Sequence, residues 1–587
     1  MTATGAERRR GTRRVHTLGR FARPYRRRAL VALFTLIVAT TTSIAGPLVA
    51  KEVIDSGIRS GHYDIVVLWV GVFLAVVMIG WMAGAAQSYL TSWVGERLLA
   101  DLRVAVFAHV QRLDLGFFER TPAGVVISRL TNDIEAMNSM ITDGPTTLVQ
   151  NTLTLVGSAV VLLVLDWRLA LATLTVFPAM AIGTAIFRRY SARAYRRTRE
   201  RMGEVTASLQ EDISGVRVVQ AFRREDANYR HFLEVNDGYR TANVQTVNAA
   251  SIYFPFVSLL SATATAVVLG YGGLLVFQNQ LSPGALFAFI GLLSNFFDPV
   301  QQLSQFYQTL LAATAALDKV VEVLQTEPAM ADSPTAQPLP EIVGRVEFAD
   351  VRFAYATAAA EVLHGVSLTA EPGQTVALVG HTGAGKSTVI KLLARFYDPT
   401  SGRVLIDGHD LRDVTSNSLR SQLGVVPQEA FLFSGSVRSN IAFGRPDASL
   451  EDVVAAAEAV GADAFIRALP DGYDTEIQER GARLSIGQRQ LVAFARALLA
   501  DPRILILDEA TSSVDIPTEA RIEEALETLL EGRTAFVVAH RLSTIRRADV
   551  IVVLEHGQVI EAGTHRQLIE RRGRYYALYD DWVEAVA

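Results

Sequence analysis

Six apolar stretches, at 29–50, 65–86, 146–165, 169–187, 252–277 and 285–311, constrain this chain more than any other feature. Each is near or above the ~20 residues that a helix needs to cross the ~30 Å hydrocarbon core of a bilayer. In hydrocarbon only helices and closed barrels satisfy their own backbone, so six such stretches imply a bundle of membrane helices. A secretory signal peptide is the rival reading of the first stretch. It is disfavoured because the stretch exceeds the usual apolar region of a signal and because five more follow. Composition agrees, since mean hydropathy is +0.24 and only 20% of residues are charged, against ~25% in soluble proteins.

Arginine placement sets an orientation. The first 28 residues carry ten Arg and one Glu, and the stretches 97–129 and 188–240 are also basic, whereas the links 51–64, 166–168 and 278–283 are short and nearly neutral. By the positive-inside rule both termini are cytoplasmic. The two long basic stretches contain little Gly or Pro punctuation and read as helical continuations of the spans into the cytosol.

At 325–340 four prolines in a short polar text mark a linker. Beyond it, short β-branched runs at 346–353, 375–379, 504–507, 534–538 and 550–554 alternate with helical segments, which indicates an α/β domain. The fold class is therefore a six-helix membrane domain with long cytoplasmic extensions, joined to an α/β domain. The expected division is a basic N-terminus (1–28), a membrane domain (29–324), the linker (325–340) and a nucleotide-binding domain (341–587). Charge follows that division, with +7 over residues 1–330 and −11 over 331–587. The chain has no cysteine, which excludes disulfides, iron–sulfur clusters and thiolate zinc sites.

Gly380, His381, Thr382, Gly383, Ala384, Gly385, Lys386, Ser387 and Thr388 follow the strand 375–379 and open a helix. This satisfies G-x-x-x-x-G-K-[ST] in its required strand–loop–helix setting. The glycines let backbone N–H groups curl round phosphates at a helix start, Lys386 reaches the β and γ phosphates, and the Ser387 hydroxyl binds Mg2+. Downstream, the apolar run 504–507 ends in Asp508 and Glu509. There Asp508 can hold the metal through water while Glu509 polarises the attacking water. ATP or GTP, with Mg2+, fits this pattern and makes the α/β domain a phosphate-loop nucleotide-binding domain, and nothing points to nucleic acid.

With these motifs in view, the chain resembles the ATP-binding cassette transporters, and among them the half-size exporters with an N-terminal six-helix membrane domain. The resemblance covers nearly the whole chain, and its distinctive part is the signature Leu484-Ser485-Ile486-Gly487-Gln488. It implies that Gln428 belongs to the metal-contacting loop joining the nucleotide site to the membrane domain, and that Ser512 to Asp515 cross a dimer interface. It also implies that His540 is the switch histidine touching the γ-phosphate, and that Tyr355 stacks on adenine, a π-face contact. In the family each ATP lies between the phosphate loop of one cassette and the signature of another, so Ser485, Gly487 and Gln488 serve a nucleotide held by a second half-transporter. The family pattern has Gly where this chain has Ile486. A β-branched side chain is excluded from the φ > 0 conformations open to Gly and brings bulk close to the nucleotide; a heterodimer with one weakened site is favoured, and a homodimer whose signature loop tolerates Ile is the alternative.

The resemblance also implies transmission helices near Asp133 to Ala136 and near Gly215 to Phe222. Asp298 places a carboxylate within the sixth span, at a cost of roughly 2.5–3.5 kcal/mol on insertion scales, so it should face a cavity or a partner. Substrate contact and a structural hydrogen bond beside Pro299 both fit. The functional expectation is an ATP-driven, dimeric half-transporter among the lipids of the bacterial cytoplasmic membrane, exporting amphipathic, drug-like or lipid-like compounds. Import of a metal-chelating small molecule, a cassette-gated channel and a soluble cassette ATPase are the alternatives; six spans speak against the last.

Overall fold

The computed structural model describes residues 19–355, 360–478, 481, 483–508, 516–539 and 541–586. They form two compact units, one of Met1–Gln111 with Ala123–Thr326 and one of Arg112–Pro122 with Glu327–Ala587.

The first unit is helical: α1 (Arg26–Glu52), α2 (Tyr63–Val110), and, after the short α3 (Leu115–Arg120) of the other unit, α4 (Gly144–Leu165), α5 (Phe177–Ser214), α6 (Val216–Ala221), α7 (Glu225–Phe277) and α8 (Pro283–Gln325). Among the described residues six helical runs are long and apolar enough to cross a membrane, as the sequence requires. Several run well past a bilayer. At 53 residues, α7 is about 80 Å long. Start signals are local: Ser282 accepts from the Ala285 N–H with Pro283 in the first turn of α8, and Glu225 and Asp226 sit in the first turn of α7. Leu169, Val268, Phe289, Leu292, Leu293 and Phe297 form the packed interior. Leu68, Leu74, Trp81 and Met82 of α2 are exposed, which suits a surface whose solvent is lipid.

A six-residue π-helical turn, Val53–Ile58, follows α1 and turns Asp55 toward the start of α8. Its carboxylate accepts from the Gly284 N–H at 2.9 Å and from the Ser282 hydroxyl at 2.5 Å, satisfying orphan donors that a helix start leaves open. Gly284 is required by close approach, because a Cβ there would lie 2.6 Å from the Asp55 Cγ.

The second unit holds the sheets. Its strands are β1 (Val346–Phe353), β2 (Leu363–Ala370), β3 (Thr375–Val379), β4 (Ser401–Ile406), β5 (Leu423–Val426), β6 (Ile504–Asp508), β7 (Thr534–Val538), β8 (Val550–Glu555) and β9 (Gln558–Gly563), with α9 (Lys386–Leu393) after β3, α10 (Ile486–Leu499) before β6 and α11 (Arg574–Val586) at the end. The main sheet runs β9-β8-β3-β7-β6-β5. Its neighbours are parallel from β8 to β5, and β9 returns antiparallel along β8. A smaller antiparallel sheet, β2-β1-β4, is extended by the two-residue strand His409–Asp410. Strands β3, β6 and β7 are nearly continuous buried runs, as strands of a parallel sheet covered on both faces must be.

The Asp55 contacts generate a prediction. Asp55→Ala strands two donors and should cost about 1.5–3 kcal/mol, lowering the thermal midpoint of the purified protein, with Asp55→Asn intermediate. A midpoint unchanged by Asp55→Ala would show that the contact is not stabilising.

Candidate functional site

Register places the chemistry. Leu378 of β3 pairs with Val538 of β7, and Val538 pairs with Asp508 of β6. The chain after Val379, the acidic end of β6 and the end of β7 therefore share the carboxyl edge of one parallel sheet, where ligands of such sheets bind. Val426 of β5 pairs with Leu507, so Gln428, two residues on and exposed, leaves from the same edge. The sequence singled out Asp508, Gln428 and the phosphate loop separately, and the sheet brings them together.

The loop from Gly380 to Gly385 turns through three positive-φ glycines, Gly380, Gly383 and Gly385. At Gly380 a side chain is excluded twice over: φ is 149° and a Cβ would overlap the Leu554 carbonyl oxygen. Lys386 opens α9 and is only 7% exposed. Its ammonium donates to the carbonyl oxygens of Gly380 at 2.6 Å and His381 at 3.0 Å. Burial pushes that ammonium below its ordinary pKa, opposed by the Asp508 carboxylate. Ser387 is exposed beside it, and Thr388 is buried with its hydroxyl 3.1 Å from that of Tyr355. Thr382, Gly383 and His381 are exposed, while Ala384 and Gly385 are buried.

Sequence reasoning missed what surrounds His381. Arg574, the first residue of α11, donates to its Nε2 at 3.0 Å and pairs with Glu555 at 2.8 Å. Arginine only donates, so Nε2 accepts and a neutral His381 carries its proton on Nδ1.

The signature forms a helix start. Ser485 caps α10, its hydroxyl accepting from the Gln488 N–H at 3.2 Å while Gln488 Oε1 accepts from the Ser485 N–H at 2.9 Å. Gly487 is buried in the first turn. This corrects the expectation about Ile486. It is the first helical residue and is absent from the positive-φ positions, so its backbone never needs glycine's freedom. What distinguishes it is bulk, since the side chain is 47% exposed. Glu509, Ser512 to Asp515 and His540 lie outside the described residues.

The segment 112–122 lies within the stretch that the division by sequence gives to the membrane domain. In space it belongs with the sheets. Asp114 caps α3 through the Phe117 N–H and accepts from the Ala329 N–H at 3.1 Å. Glu119 accepts from the Lys391 ammonium at 2.7 Å and the Tyr397 hydroxyl at 2.5 Å. Tyr397 and Phe353 each meet Tyr355 edge to face, and Lys391 lies 5.6 Å from the centre of the Tyr355 ring. A cavity of about 650 Å³ opens between α3 and Tyr355. Burial opposes the charges, yet their pairing holds the Glu119 carboxyl below and the Lys391 ammonium above their ordinary values. The two regions expected to transmit motion, near Asp133 and near Gly215, both lie in the helical unit. There Asp133 pairs with Lys319 at 3.0 Å, and Val216, Val218 and Phe222 around α6 are exposed.

Residues 29–300 match the family description "ABC transporter transmembrane region" and residues 363–512 match "ABC transporter". An ATP-dependent lipid A-core flippase of Syntrophus aciditrophicus is 38% identical over 563 residues, covering 95% of this chain and 93% of that protein. A multidrug efflux ATP-binding/permease protein of Mycobacterium bovis is 40% identical over 564 residues, 96% of this chain and 47% of that longer one. A solved bacterial Atm1-family ABC exporter with ATP bound superposes with a TM-score of 0.80 at 31% identity, covering 96% of this chain and 98% of that one. The chain belongs to the ABC transporters, as a half-size exporter that couples ATP hydrolysis to transport, works as a dimer and is integral to a membrane.

The Glu119 contacts predict a pH effect. The carboxyl is depressed in the fold, so its contribution is complete above the ordinary value of about 4.3 and is lost as pH falls through the lowered one. Glu119→Gln should flatten that part of the acid limb of thermal midpoint against pH. An identical acid limb would show that Glu119 does not titrate in this contact.

Proposed function

We propose that this half-transporter exports amphipathic, drug-like or lipid-like compounds across a bacterial cytoplasmic membrane, as one half of a heterodimer with both termini in the cytoplasm. The register that sets Leu378, Val538 and Asp508 level carries the reading, because it gathers the phosphate loop and a carboxylate at one edge in a chain whose described residues also include six apolar helices of membrane-crossing length.

In this reading the backbone of Gly380 to Gly385 and the Lys386 ammonium hold the β and γ phosphates, and Tyr355 stacks on adenine. Glu509 accepts a proton from the water that attacks the γ-phosphorus as the bond toward ADP breaks, with His540 against the γ-phosphate. Ser387, Gln428 and Asp508 offer oxygen donors alone, which fits a hard cation. A Mg2+ ion held by these residues would neutralise charge on the phosphates. Ser485, Gly487 and Gln488 act on the partner's nucleotide, and the exposed bulk of Ile486 in that signature supports a partner whose own site is the weak one. The cargo class is supported by relatives named for lipid A-core and multidrug transport. The orientation is supported by the basic stretches 1–28, 97–129 and 188–240.

Turnover tests the site and the pairing together. In the complete complex Glu509→Gln should retain ATP but lose most ATPase activity, and Lys386→Ala should lose binding at this site. This chain purified alone should show little cargo-stimulated ATPase until the partner is added. Wild-type turnover by Glu509→Gln sinks the base assignment, and strong transport by the chain alone establishes a homodimer. Orientation has its own test in a chain free of cysteine. Gly61→Cys and Asn279→Cys should react with an impermeant thiol reagent added outside intact cells, and Arg217→Cys should not; all three positions are exposed. Outside labelling at position 217 would overturn the topology.

A further inference from the structure

Across the six apolar stretches of the sequence there is one acidic or basic residue, Asp298 of α8. It lies 15 residues from Pro283, about 22 Å along the helix, and is exposed. Among the described residues its carboxylate makes no hydrogen bond or ion pair. A carboxylate at that depth cannot face hydrocarbon cheaply and marks a cavity or a partner.

Spacing shows what shares its face. Phe287, Gly291, Ser294, Asp298, Gln302 and Gln305 recur at helical intervals and all are exposed, while Ala288, Phe289, Leu292, Leu293, Phe296 and Phe297 between them are buried. The stripe is graded. Its cytoplasmic half carries a carboxylate and two amides, and its other half, Phe287 and Gly291, lines an apolar cavity of about 550 Å³ with Phe73, Val77 and Pro47. Gly291 precedes Asp298 by two turns, about 10 Å along α8. An apolar hollow with a single fixed negative charge a molecule's length away complements a ligand with a ring-bearing apolar body and a positive head. It repels an anion of the same shape.

We propose that this face of α8 is a cargo site selective for amphipathic organic cations, with Asp298 meeting the positive charge and Phe287 and Phe73 the apolar body. The proposal rests on the export reading and adds the sign of the cargo to it.

The test uses two ions of matched size and opposite charge, tetraphenylphosphonium and tetraphenylborate. Binding to the purified complex in zwitterionic nanodiscs is measured by equilibrium dialysis without ATP, with empty discs subtracted. Saturable tetraphenylphosphonium binding is expected, at least tenfold tighter than that of the borate. Asp298→Asn should weaken the phosphonium at least tenfold, and Asp298→Glu should restore it to within about threefold. Phe287→Ala, which leaves the packed face of α8 untouched, should weaken it severalfold and serves if Asp298→Asn does not assemble. Equal affinity for the two ions, no saturable binding by either, or phosphonium binding unchanged in Asp298→Asn would overturn the proposal. In the last case a changed dimer yield would assign the face to the partner chain. Binding without ATP-driven accumulation in vesicles would count against the export reading alone.

Discussion

A peptide N–H in hydrocarbon has no water to bond, and that shortage decides most of this molecule's form. Six segments answer it by winding into helices whose backbone bonds close within each segment. Because the stretches of the same helices beyond the apolar segments carry little Gly or Pro, the winding continues well past the length a bilayer needs, to 48 residues in α2 and 53 in α7. The same shortage explains the end of α8. Its first donors need acceptors, and the π-helical turn after α1 supplies one in Asp55. It also explains why a lone carboxylate within the spans calls for an explanation while the glutamines near it need less.

The sheet unit answers a different constraint, charge concentrated at one place. A triphosphate needs many donors converging, and a parallel sheet provides them by ending its strands on one edge. Strands β3, β6 and β7 are buried along nearly all their length and, Asp508 at the end of β6 apart, carry little chemistry themselves. Their work is to hold Gly380, Asp508 and the residues past Val538 level with one another. Arg574 adds a constraint from the far end of the chain, fixing which nitrogen of His381 bears a proton.

Much of this was legible in the sequence where a physical pattern is local. The spans, the phosphate loop and the acidic end of β6 each announce themselves within a few residues. The capping box at Ser485 and Gln488 was also readable, and it would have shown that Ile486 begins a helix and needs no left-handed backbone. What was not legible is pairing at long range. Nothing in the text around Glu119 says that its carboxylate meets Lys391 and Tyr397, and without that contact the segment 112–122 looks like any other part of a membrane domain. Arg574 likewise reads as one more charge near the end of the chain until the fold sets it against His381.

The contact at Glu119 has a consequence in time. Glu119 precedes Lys391 by 272 residues and Tyr397 by 278. At the ~5–20 residues per second of protein synthesis, α3 leaves the ribosome roughly 14–54 s before the side chains that hold it. The Glu119 carboxylate has neither of these partners during that interval. The birth of this protein therefore includes a waiting step, whose length is set by the speed of the ribosome.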